Sequence, residues 1–108
     1  MSFIMKRRHY FFKLIPPRPT FPQDMSEEEK ELMAEHSAYF HSQFEAGKLL
    51  LYGPVMAPDG AFGVGILEVE DEADARKFAE GDPSVCAGLN RWELYPMLVT
   101  GSRAKGES

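Results

Sequence analysis

A chain of 108 residues, 44% apolar and 12% aromatic, is long enough for one folded domain but short enough to leave much of its surface wet, so a partner would stabilise it. The net charge of −5, with its one basic cluster Lys6-Arg7-Arg8 beside the start, excludes a generic binder of phosphate backbones, and no nucleic-acid partner is expected. A single cysteine forbids an internal disulfide and suits a reducing compartment, which points to the cytoplasm, and no apolar run approaches the ~20 residues of a membrane span.

Residues 1–8 read as a flexible basic start. The apolar run after them is interrupted by Lys13 and ended by Pro16-Pro17, which argues against a signal peptide. His9 to Ile15 is rich in aromatic and branched residues with little alternation, the pattern of a strand buried on both faces. Pro16, Pro17, Pro19 and Pro22 predict a stiff, extended lip that borders a pocket, because each fixes its own backbone angle and biases the residue before it. Ser26 with Glu29 forms a capping box, Glu27 and Glu28 favour the positive helix end, and a long helix runs from there to Gly47. Leu32, Met33, Phe40 and Phe44 form its apolar side.

Lys48 to Tyr52 predicts a second strand, broken by Gly53-Pro54; Pro58-Asp59-Gly60 supplies the turn of a hairpin with a long tip before a third strand over Phe62 to Val69. Asp71 caps a helix to about Glu80 whose inward stripe is Ala75, Phe78 and Ala79. Asp82, Pro83 and Gly88 suit the cap, first position and end of a short helical turn. Leu89 to Val99 is the last strand, and Pro96 within it implies an edge or a bulge. A poorly ordered tail, 101–108, completes the chain.

The order β-α-β-β-α-β over residues 9–100 predicts an α+β, ferredoxin-like domain with two helices on one face of a four-stranded antiparallel sheet. Strands apolar on both sides cannot leave the second face in water, so two sheets are expected to pack face to face in a homodimer.

His36 is the residue with the clearest chemistry. It lies mid-helix among apolar neighbours, and an imidazole, as the side chain type suited to general acid–base work, can take and return a proton if a partner orients it. Asp82 is the candidate partner. Capping alone explains an Asp-Pro pair at a helix start, but one carboxylate oxygen can cap while the other receives the ring N–H. Lys13 and Arg18 are candidates to bind an anionic or phenolate substrate at the pocket mouth, against ordinary solvation. Tyr39, three residues after His36, is a candidate pocket wall, whereas Tyr10 and Trp92 suit core or interface.

Other side chains carry less. His41 is five positions from His36 and turned away from it, His9 marks a strand start, and no metal or other cofactor is expected. Cys86 reads as a small packing residue. Ser37 and His36 point about 100° apart, which disfavours a nucleophile–base pair. Gly63-Val64-Gly65 is a lone G-x-G inside a strand and is better explained by the close approach of another backbone than by a dinucleotide.

His36, the strand-ending Gly53-Pro54, Asp82-Pro83 followed by Ala87-Gly88-Leu89, and the run from Phe12 through Pro16-Pro17-Arg18-Pro19 to Phe21 together resemble the YCII-related (YciI-like) family over roughly His9 to Val99. The resemblance implies a dimeric α+β barrel related to muconolactone isomerase, with a His-Asp site at His36 and Asp82. One branch, as the resemblance implies, removes chloride from a chlorinated hydroxyquinol. The expectation is therefore a small-molecule enzyme performing isomerisation or elimination on a small cyclic or phenolic compound. The alternatives are a non-catalytic ligand-binding protein, a structural homodimer and an accessory domain.

Overall fold

The aromatic first strand becomes the interior of the sheet. In the computed structural model, which describes residues 7–103, β1 (Arg8–Ile15) runs antiparallel between β3 (Gly60–Val69) and β4 (Arg91–Met97), and β2 (Leu49–Ala57) pairs with β3 at the far edge. The strand order β2-β3-β1-β4 with its intervening helices is the ferredoxin-like arrangement. The expected flexible start and tail lie for the most part outside the described residues, though Arg8 already begins β1.

Alternation in β1 divides the molecule. Tyr10, Phe12 and Leu14 are buried against α2 (Glu27–Glu45) and α3 (Glu72–Glu80), where Phe12 meets Phe40 at 5.8 Å and Phe78 edge-on at 5.6 Å between ring centroids. His9, Phe11, Lys13 and Ile15 point to the opposite face and are only half-buried, so the strand is not closed on both sides within one chain. On that outer face Phe11 stands between Ile66 and Tyr95, with Leu51 beyond Ile66; Leu51 and Tyr95 are 55% and 50% exposed.

The helix starts follow local chemistry. Ser26 accepts from the Glu29 N–H and the Glu29 carboxylate accepts from the Ser26 N–H, completing the capping box, and Asp71 accepts from the Asp74 N–H. Phe44 departs from the expected apolar stripe, since it is exposed and rests its ring on Tyr52. Pro96 sits in the edge strand β4, where a missing donor is tolerated.

Two expectations are corrected. β2 does not stop at Gly53-Pro54: both residues pair with β3, because β2 is an edge strand that can carry a proline, and the hairpin tip shrinks to Pro58-Asp59. The proline-rich lip is not wholly extended either, since Phe21–Asp24 forms a helical turn, α1, with proline in its first positions where no N–H is needed. The G-x-G of β3 does serve close approach, but to side chains: a Cβ on Gly65 would lie 3.1 Å from Leu49 Cδ2. Among the described residues no helix is long and apolar enough to cross a membrane.

The lip and the hairpin tip meet at Gly60. Its φ of +135° is a conformation that L side chains rarely adopt, and a Cβ there would also lie 3.1 Å from Pro19 Cα. Gly60→Ala is therefore expected to destabilise the fold by about 1–3 kcal/mol, to be measured by urea denaturation.

Candidate functional site

The site is assembled from three elements that meet near the centre of the long helix. His36 comes from the middle of α2, Asp82 is the N-cap of the short α4 (Pro83–Cys86), and Asn90 immediately precedes β4. His36 Nδ1 and Asp82 Oδ2 are 2.8 Å apart. Asp82 is wholly buried, and its other oxygen accepts both the Ser84 N–H at 2.8 Å and the Ser84 hydroxyl at 2.9 Å. It thus caps α4 and meets the imidazole at once.

A carboxylate only accepts, so Nδ1 is the donor, and in the neutral ring that tautomer leaves the lone pair on Nε2. The ring is stacked at 40° on Phe40 with centroids 4.4 Å apart, which fixes its tilt. His36 lines a cavity of about 300 Å³ between the sheet, α2 and the lip. Its walls are mostly apolar, with Leu14, Phe21, Met33 and Phe40 prominent, and Ser37, Tyr52 and Asn90 bring the other polar side chains to the lining.

Three expected binding residues lie outside the lining of this cavity. Lys13 has the parity of the outer sheet face, opposite Leu14, and its Nζ lies over the Phe62 ring at 4.6 Å to the centroid rather than in the cavity. Arg18 is engaged as a brace: its guanidinium grips Glu29 through both carboxylate oxygens at 2.7 and 3.0 Å and reaches Asp24 at 2.8 Å, pinning the lip to the start of α2. Tyr39 turns toward α3, donating its hydroxyl to the Phe78 carbonyl at 2.8 Å, and lines a different cavity of about 390 Å³ with Gln43 and Lys77. Burial, and then the Asp82 charge, raise its phenol above the ordinary value.

The remaining histidines stand apart. His9 meets Glu68 at 3.1 Å on the outer face, and His41 lies 3.6 Å from Glu45 in solvent. Cys86 is exposed rather than packed, with Sγ 3.1 Å from the Glu80 carbonyl. Ser84 and Asn90 are the residues that sequence patterns did not single out. Each is an ordinary polar residue in a turn, and only burial separates them from their solvated counterparts.

Comparison with known proteins gives matches of two kinds. The model of the YCII-related domain matches residues 11–98. Among solved structures, a similar fold is that of 5-chloro-2-hydroxyhydroquinone dehydrochlorinase (TftG) from Burkholderia phenoliruptrix in complex with 2,5-dihydroxybenzoquinone, with a TM-score of 0.62 and 23% identity, covering 85% of this chain and 95% of that one. No curated protein matches. At that identity the likeness establishes the fold.

Two outcomes test the site's energetics. Asp82→Ala removes a helix cap and strands the His36 N–H and the Ser84 hydroxyl, and a loss of roughly 2–5 kcal/mol is expected in chemical denaturation. The Arg18 guanidinium, and then the Ser26 N–H, hold the Glu29 carboxyl at about 2, and Asp24 is lowered by Thr20 and then Arg18. Depressed carboxyl values stabilise the fold above the ordinary carboxylate range and lose that contribution as pH falls toward about 2. Arg18→Met is thus expected to lie below the parent in stability at neutral pH, with the gap closing in acid. Because these groups are partly exposed, added salt is expected to narrow the same gap.

Proposed function

This chain belongs to the YCII-related family, and on that premise we propose that it is a small-molecule enzyme in which His36 is the general acid or base and Asp82 orients it. The reaction class is proton abstraction leading to isomerisation or elimination on a small cyclic or phenolic compound. The observation that carries the reading is the 2.8 Å contact from Nδ1 of a cavity-lining histidine to a fully buried carboxylate.

That contact leaves Nε2 to take a proton from a ring hydroxyl or from a carbon acidified by a neighbouring carbonyl. In an isomerisation the imidazolium returns the proton at another atom. In an elimination the electron pair left behind forms a new double bond and expels an anionic leaving group from the adjacent carbon. Loss of a proton and chloride, the reaction named for the TftG structure, is one instance of this class, and it supports a hydroxylated ring as the substrate type. The cavity lining among the described residues contains no Lys or Arg, which favours an uncharged ring over a carboxylate-bearing one. No cofactor enters the proposal.

A homodimer through the outer sheet face belongs to the same reading. Leu51, Val55, Tyr95 and Met97 are exposed there beside half-buried Phe11, a patch that pairing with a second sheet would cover. A cytoplasmic setting accords with the single cysteine.

The reading is tested by incubating the protein in deuterium oxide with chlorinated and hydroxylated phenols and small lactones, following solvent exchange, new products and chloride release by NMR. His36→Gln, which can still donate to Asp82, is expected to lose activity by roughly 10²–10⁴-fold with its fold intact. Binding without exchange or turnover in the parent would favour a non-catalytic ligand-binding protein, and absence of both a structural dimer. Sedimentation of the parent should show a dimer that Leu51→Asp shifts toward monomer; a parent that sediments as a monomer across the concentration range would overturn that part.

A further inference from the structure

The amide of Asn90 has an atom that the described protein leaves without a partner. Asn90 is 4% exposed and lines the same cavity as His36, yet its Oδ1 is buried and receives no hydrogen bond. The orientation of this amide is forced by its neighbours. Ser84 has one hydroxyl proton and gives it to Asp82 Oδ1, so toward Asn90 Ser84 Oγ can only accept, and it does so from Nδ2 at 2.9 Å. A flipped amide would set two acceptors against each other. The other Nδ2 proton is directed at Met33 Sδ, 3.4 Å away, which leaves Oδ1 as the amide's unused polar atom.

A buried acceptor without a donor costs stability, and native structures keep few of them outside functional places. We infer that Asn90 Oδ1 is the second polar anchor of the cavity, accepting a hydrogen bond from a hydroxyl of the ligand while a second hydroxyl or an acidic C–H of the same ring meets His36 Nε2. The inference rests on the small-molecule reading above and narrows it to rings that carry hydroxyl donors. Met33 lines the cavity next to the amide with its sulfur at Nδ2, and its flexible thioether can adjust as the hydroxyl reaches Oδ1. Asn90 is thereby a specificity-determining residue. A site built around such an acceptor rejects a ring whose hydroxyl has been methylated, because the acceptor is then desolvated again without a donor.

Asn90 is the only asparagine in the sequence, so protein labelled with ¹³C,¹⁵N-asparagine yields a single side-chain amide signal. The probes are phenol, catechol and hydroquinone, each paired with its methyl ether: anisole, 1,2-dimethoxybenzene and 1,4-dimethoxybenzene. At least one hydroxylated ring is expected to shift the Met33 methyl and the His36 ring, to move the Asn90 carbonyl carbon downfield, and to bind about tenfold or more tightly than its ether. Asn90→Leu is expected to lose that preference while still binding both. If the Met33 methyl and His36 ring respond but the Asn90 carbonyl does not, and the preference survives in Asn90→Leu, Asn90 is only structural and the inference fails alone. If no probe moves any of the three signals, the inference falls together with the small-molecule reading. The label answers in the parent protein, so the outcome does not depend on whether Asn90→Leu folds.

Discussion

A carboxylate with no exposed surface must have its lone pairs met by the protein, and in this molecule that requirement organises everything near the cavity. Asp82 collects the backbone and side chain of Ser84 and the imidazole of His36, and Ser84 Oγ in turn accepts a hydrogen bond from the Asn90 amide. One buried charge therefore ties the long helix to the turn after α3 and to the start of β4. Removing a partner of such a group leaves the rest desolvated and unpaired, so each member is more costly to lose than a hydrogen bond in water would suggest.

The surrounding apolar packing gives this network its fixed geometry. Phe40 touches His36 on one side and the rings of Phe12 and Phe78 on the other, so the orientation of the imidazole is set by the same cluster that joins helices to sheet. Gly65 lets Leu49 and Phe40 lie close over the sheet at this point, where a larger residue would push the cluster outward. Fold and site share atoms here, which is why the tilt of the imidazole does not depend on Asp82 alone.

Helix starts and strand order were legible in the sequence because their signals are local: a capping box at Ser26, an aspartate at Asp71, an Asp-Pro pair at Asp82. The His36–Asp82 contact was legible for a related reason, since a ring on an apolar helix side needs a partner and a carboxylate with a spare oxygen is a ready one. The side that Lys13 takes is hidden in the sequence because β1 is apolar on both faces; only the packing of Phe12 and Leu14 under the helices reveals its parity. Tyr39 faces away from His36 because three residues along a helix is close enough to share a turn but far enough to face a different neighbour, here α3. Arg18 has a charge that suits substrate equally well on paper, and only the placement of Asp24 and Glu29 shows that it is already occupied. The significance of Asn90 lies wholly in burial, which no short pattern encodes.

Glu29 carries two duties on one carboxylate. The oxygen that closes the capping box at Ser26 also receives Arg18 from the lip, so the first turn of α2 and the cavity wall around Phe21 are latched by the same group. Loss of the Glu29 carboxylate would therefore remove the helix cap and the anchor of the lip together. Residues 18 and 29, which lie outside the cavity lining, are thus coupled to its wall, and substitutions at the two positions would combine non-additively in stability.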